Sequence, residues 1–200
     1  TNKQVINRMA NWSEEWYDNH QKIFRDTFYA RNPLIFYNSH AEFQQTNAIY
    51  GDIGIGTGGV TEGFKNRVVL PYSMINQQTQ QVLGHELVHA FQYHKVINGD
   101  STNLESLANL PLWMVEGMAE YLSLGHIDTY TSMWMRDAVI NNDVPNVKKL
   151  STYKYFPYRY GEAFWAFFSG TYGDYLVEPL YMNTAKYGME EAVKMTLGMK

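Results

Sequence analysis

Two imidazoles four residues apart, with a carboxylate beside the first, can hold a metal ion and act on its water. His85-Glu86-Leu87-Val88-His89 has this pattern. On an α-helix, positions i and i+4 lie one turn apart on the same face, so both rings can reach one ion. Glu86 sits roughly 100° around the helix from His85, where it flanks the ion and reaches water without ligating. A general base belongs there. Leu83, Leu87, Ala90 and Phe91 form the opposite face and would anchor the helix in a core that keeps the ligands steady. The competing reading makes both residues ordinary helix histidines paired to nearby acids, so their context has to decide.

A catalytic zinc takes three protein ligands and leaves a fourth position open, and His-His-Glu is one of the standard sets. The chain has no Cys, so any metal must be held by His and carboxylates. Glu116 and Glu120, within Trp113-Met114-Val115-Glu116-Gly117-Met118-Ala119-Glu120-Tyr121, again stand at i and i+4 on one face of the next predicted helix. One can ligate and the other support. Their neighbours are apolar, a setting in which an unpaired carboxylate is costly and a nearby cation relieves the cost. His20, His40, His94 and His126 have no partner at ligand spacing and are expected to be surface or hydrogen-bonded residues.

These side chains need a frame. Ile6, Met9, Trp12, Trp16, Ile23 and Phe24 recur mostly at helical spacing, predicting one long or broken helix from about Val5 to Tyr29. Leu34-Ile35-Phe36-Tyr37 and Arg67-Val68-Val69-Leu70-Pro71 are short, β-prone and bounded by turn formers, so both read as strands. Between them, Gly51 to Gly63 holds six Gly in thirteen positions, backbone that other groups can approach closely. The spacing predicts a helix from about Thr79 to Val96, a turn at Asn98-Gly99-Asp100-Ser101, and a helix from Pro111 through Leu124 to Gly125. Further helices are expected at Met133 to Ile140, Gly161 to Phe168 or Tyr172, and Met189 to Leu197, with a Tyr- and Lys-rich connection between Pro145 and Pro157. A small sheet early and helices late is an α+β arrangement.

The length of 200 residues and 45% apolar content suit one domain, with a sheet-containing part at about 1–96 and a helical part at about 104–200. The formal net charge of -4 makes nucleic acid an unexpected partner. No apolar run approaches the ~20 residues that span a bilayer, and no signal peptide is visible. Sixteen Tyr suggest an aromatic core or a cleft for peptide or carbohydrate. Because the first residue is Thr1, the chain is expected to be a processed product or a piece of a longer protein.

His85-Glu86-Leu87-Val88-His89 followed by Trp113-Met114-Val115-Glu116-Gly117 resembles the gluzincin metallopeptidases, especially the aminopeptidase N group and its smaller bacterial relatives. That resemblance implies a zincin-like α+β fold with an active-site helix and an edge strand over the site. It implies one zinc ion per chain, with His85, His89 and Glu116 as ligands and Glu86 as base. Glu120 is expected to support a ligating His from behind. The interval between His89 and Glu116 is longer than in aminopeptidase N, and residues Asn98 to Asn103 within it are expected to form a surface loop. Pro157-Tyr158-Arg159-Tyr160-Gly161 resembles the stretch whose Tyr donates to the oxyanion, which assigns Tyr158, with Tyr160 as its substitute. Gly58-Gly59-Val60-Thr61-Glu62, ahead of Val68-Val69-Leu70-Pro71, resembles the edge strand that pairs with extended substrate. In aminopeptidases the fourth position of that motif is a Glu that binds the free amine. Here it is Thr61, and the acid falls one later at Glu62, on the opposite face of a strand.

Phe43 to Asn47 and Gly58 to Glu62 also resemble peptidase-like domains that precede TolB-type β-propellers in secreted or envelope-associated bacterial proteins. The likeness extends from about Leu34 to the C-terminus. It implies a secreted, periplasmic or envelope location and a propeller domain on the C-terminal side of the full protein. The expected activity is hydrolysis of peptide bonds in a peptide or protein substrate. Zinc-acidified water would give its proton to Glu86, which passes it to the leaving amine. The alternatives are a metal-binding but catalytically restricted scaffold module and a metal-free helical protein.

Overall fold

Trp12, Trp16 and their helically spaced neighbours build the first helix, α1 (Lys3–Phe24), of a computed structural model that describes residues 3–99 and 104–199. The chain divides into two compact units, Thr1–His94 and Lys95–Lys200. In the first, α1 is followed by β1 (Leu34–Tyr37), the single-turn α2 (His40–Phe43), β2 (Val60–Glu62), β3 (Arg67–Pro71) and α3 (Asn76–Gly99) as far as His94. The sheet order is β1-β3-β2, with β1 parallel and β2 antiparallel to the central β3. Strand alternation explains its two faces. Val68 and Leu70 pack with Leu83, Leu87 and Ala90 of α3, whereas Val69 joins Phe43 and Ile53 on the other side.

Helix α1 holds α3 through both packing and polar contacts. Trp16 Nε1 donates to the Gln80 carbonyl at 2.9 Å, and His20 Nε2 lies 2.9 Å from the Gly84 carbonyl. A Cβ on Gly84 would stand 2.6 Å from the Trp16 ring, so the close approach of α1 to α3 depends on that glycine. His20 is buried, and burial pushes its pKa down to about 4 against the raising effect of the Gly84 carbonyl. It is therefore neutral at pH 7 and donates from Nε2. The other histidines outside the pentad are hydrogen-bonded too: His40 to the Thr57 carbonyl, His94 to Asp26 and His126 to Tyr121.

The second unit contains the short α4 (Leu104–Leu107), then α5 (Leu112–Leu124), α6 (Thr129–Ile140), α7 (Pro157–Tyr172), α8 (Val177–Tyr187) and α9 (Met189–Leu197). Pro111 precedes α5, and Gly125, at φ 93°, closes it. Helices α5 and α7 meet at two glycines. A Cβ on Gly161 would lie 1.9 Å from the Trp113 carbonyl oxygen, and one on Gly117 would lie 2.2 Å from the Gly161 carbonyl carbon. Beside this crossing Trp165 is buried, and its Nε1 donates to the Met114 carbonyl at 2.9 Å.

The fold is mixed α+β, with a small three-stranded mixed sheet in the N-terminal half and a mostly helical C-terminal half, as the sequence implies. Several limits differ. The first helix stops at Phe24, and α3 runs from Asn76 to Gly99, through the Asn98-Gly99 start of the expected turn. The rest of that loop, 100–103, lies outside the described residues. Helix α6 begins at Thr129 because Asp128 caps it, accepting from the Thr131 amide at 2.6 Å. Helix α7 begins at Pro157, whose fixed φ suits a first turn. Among the described residues no helix is long and apolar enough to cross a membrane.

Candidate metal centre

Helix α3 carries the pentad where it is buried almost all round, from His85 to Phe91. Apolar burial of Leu87, Val88 and Phe91 fixes the backbone, and the i, i+4 spacing then decides where the imidazoles go. His85 Nε2 and His89 Nε2 are 3.1 Å apart, with the rings edge-to-face at an interplanar angle of 81°. Two nitrogens bound at ~2.0–2.1 Å to one tetrahedral zinc would be separated by about 3.3 Å, so this spacing fits a shared ion. One turn on, buried Gln92 presents Oε1 to His89 Nδ1 at 2.8 Å. An Nδ1–H donated to that oxygen leaves the Nε2 lone pair for a metal.

Glu86 is 6% exposed, an expensive place for a carboxylate without partners. Its partner comes from the sheet. Thr61 stands opposite Val68 in the β2–β3 pairing, on the face turned to α3. Its Oγ1 lies 2.7 Å from Glu86 Oε2 and 2.7 Å from the Glu86 main-chain oxygen. The adjacent side chains face away: Val60 packs against the Phe43, Ile53 and Val69 cluster, and Glu62 pairs with Lys65 and Arg67. Against the burial that would raise it, Arg67 and Lys65 hold the Glu62 carboxyl below its usual range. Gly58 and Gly59 precede the strand. A Cβ on Gly59 would stand 2.7 Å from Glu86 Cγ, and one on Gly58 would stand 3.2 Å from Val82 Cγ2.

In the second unit, α5 supplies Glu116 and the buried Glu120, and α7 supplies Arg159 and Tyr158. The Arg159 guanidinium pairs with Glu120 through Nη2, and through Nη1 lies 2.9 Å from Glu162 and 3.4 Å from Asp128. Thr131 Oγ1 also donates to Glu162, at 2.5 Å. Three carboxylates surround one guanidinium. Burial pushes the Glu162 pKa up to about 7; Thr131 and Arg159 act against this, and Asp128 and Glu120 add to it. Tyr158 lies in the first turn of α7, its ring 5.2 Å from that of Phe156, while Tyr160 packs on Tyr155 at 5.1 Å. Burial, then nearby Asp143, raises the Tyr160 pKa.

One ligand atom from each of His85, His89 and Glu116 lies within 4.8 Å of the others, so this group could hold a metal ion. Two imidazoles and a carboxylate form a nitrogen and oxygen set suited to zinc and to other borderline divalent ions. Sequence reasoning does not single out Gln92, Arg159 or the contacts made by Gly59 and Thr61. Gln92 has a local signal, three residues beyond His89 on the same helix face. Arg159 stands out only as a cation in an aromatic run, and the Thr61 to Glu86 contact joins residues 25 apart through packing.

A protein family described as "Peptidase of plants and bacteria" matches residues 61–152, just under half the chain. The matched span takes in Thr61, the pentad and Glu116, and ends before Tyr158. It supports a peptidase-like family for the chain. No curated protein and no solved structure matches.

Proposed function

We propose that this chain is a zinc-dependent peptidase of the gluzincin type, acting on a peptide or protein substrate as a single functional domain, outside the bacterial cytoplasm. The observation that carries the reading is the convergence of His85, His89 and Glu116 to within 4.8 Å, with Glu86 next to the first ligand on the same helix. The peptidase-family match over residues 61–152 supports the peptidase part of it.

When bound, a zinc ion supplies Lewis acidity that brings the pKa of water toward ~7 and polarises a substrate carbonyl. His85 and His89, each through Nε2, and Glu116 would hold it, and Gln92 Oε1 at His89 Nδ1 would keep that ring in the tautomer a metal requires. Glu86 accepts the proton of the attacking water and later delivers it to the leaving amine as the C–N bond breaks. The Tyr158 hydroxyl donates to the oxygen on which negative charge develops. Arg159 pairs with Glu120, which lies on α5 one turn from Glu116. Strand β2 is at an edge of the described sheet, and its outer backbone groups, from Gly58 to Glu62, pair with an extended substrate.

Zinc content and turnover of internally quenched peptides test this in wild type and Glu86→Gln. The expected result is one zinc per chain in both, with turnover lowered by roughly 10²–10⁴-fold in the variant. Undiminished turnover in Glu86→Gln, or zinc-loaded wild type that cleaves no member of a broad peptide set, contradicts the reading.

A further inference from the structure

We propose that Thr61 is a positioning residue for Glu86, and that its hydroxyl and the bare Cα of Gly59 form a socket holding the Glu86 carboxylate in its working orientation. The inference rests on the hydrolytic reading above, which makes Glu86 the base. A Glu side chain has three rotatable bonds, and a base serves only when its oxygen is within hydrogen-bond reach of the proton it removes. Something must therefore fix it.

Two independent contacts do so. The Thr61 hydroxyl is 2.7 Å from Glu86 Oε2 and equally close to the Glu86 main-chain oxygen. A hydroxyl has a single proton to give, and an ionised carboxylate is the stronger acceptor, so that proton goes to Oε2. On its other side the Glu86 stem lies against Gly59, where a Cβ would come within 2.7 Å of Cγ, 3.1 Å of Cδ and 3.0 Å of Oε1. Any other residue at 59 would push the carboxylate out of place. Oε2 is thus engaged by Thr61, and Oε1 is the oxygen that takes the proton from water and returns it to the amine nitrogen.

The strand pleat makes this arrangement selective. Val60 and Glu62 are committed to the opposite side, to the apolar cluster and to Lys65 and Arg67. Thr61 alone of the three can serve Glu86. The backbone of β2 stays available to an extended peptide while the Thr61 side chain serves the base, so one short strand positions both reactants.

The test compares wild type, Thr61→Val, Thr61→Ser, Gly59→Ala and Glu86→Gln in the full 200-residue chain. The probe is the internally quenched peptide that wild type cleaves best, and zinc is measured alongside kcat and KM. Thr61→Val keeps the shape and deletes the donor. It should lower kcat by roughly 10- to 100-fold with KM and zinc content unchanged, because the lost contact acts on the base rather than on substrate binding. Thr61→Ser restores the hydroxyl and should recover most of kcat, and Gly59→Ala should lower kcat as Thr61→Val does. Wild-type kcat in Thr61→Val, or equal losses in the Val and Ser variants, overturns the proposal while an inactive Glu86→Gln leaves the hydrolytic reading standing. An active Glu86→Gln removes that reading instead. Should Thr61→Val lose zinc or its fold, Gly59→Ala decides: a fall in kcat with zinc retained supports the socket, and unchanged kcat overturns it.

Discussion

Replacing Gly161 with Ala should destabilise the protein although alanine is the better helix former. A Cβ at this position would sit 1.9 Å from the Trp113 carbonyl oxygen and 2.8 Å from Gly117 Cα, whereas ordinary contact begins near 3.4 Å. The shortfall of about 1.5 Å is against backbone of a second helix, so no side chain can rotate away to relieve it. Helix α7 must lift from α5, loosening Trp165 from the Met114 carbonyl. Overpacking of this kind costs roughly 3 kcal/mol, the upper end of the usual range, and the propensity gain of ~1 kcal/mol offsets only part. A net loss of about 2 kcal/mol in a chain of this size lowers Tm by roughly 4–8 °C. At Gly170, on the same helix, an added methyl would meet nothing within 4 Å, so Gly170→Ala isolates the propensity effect. It should raise Tm by up to ~4 °C. Thermal unfolding followed by circular dichroism measures both. A Gly161→Ala protein as stable as wild type, or shifts of the same sign in both variants, would refute the tight crossing.

Two more outcomes follow from single contacts. His20 has a folded pKa of about 4 and an ordinary value of 6.5, so below 6.5 the unfolded chain binds the extra proton. Its contribution is fully present above pH 6.5 and is lost as pH falls toward 4, on the order of 3 kcal/mol in all. Denaturant titrations of wild type and His20→Gln across that window should converge as the pH drops, and a constant difference would count against a neutral buried imidazole. Gln92→Leu removes the acceptor from His89 Nδ1 and should weaken zinc binding by roughly 10–100-fold in a chelator competition. Unchanged affinity would mean that Gln92 does not orient the ligand.

The legible parts of this protein are those with a local cause. The strands Leu34–Tyr37 and Arg67–Pro71 fall where their composition places them, and the helix ending at Leu124 closes on Gly125 as expected. The i, i+4 geometry of His85 and His89 is a property of the helix itself and needs no tertiary knowledge. Helix α8 escapes a reading of periodicity because Pro179 and scattered polar residues hide its repeat, although a proline is tolerated in a first turn. The early start of α6 is readable from the Asp128 cap. For Thr61 the sequence suggests a substrate contact, and strand alternation correctly separates it from Glu62. That its hydroxyl meets Glu86 depends on how the sheet packs on α3, which pairs residues with no sequence signature linking them. The three acids around Arg159 come from three different helices or their caps, and only the folded second unit brings them to one guanidinium.

The most direct test of the metal assignment is an anomalous-difference map recorded at the zinc absorption edge from crystals of zinc-replete protein. The expected result is a single peak about 2.0–2.2 Å from His85 Nε2, His89 Nε2 and a Glu116 carboxylate oxygen, with the fourth position open to solvent. A peak ligated elsewhere, or a protein that retains no zinc while those three side chains stay in place, would contradict it.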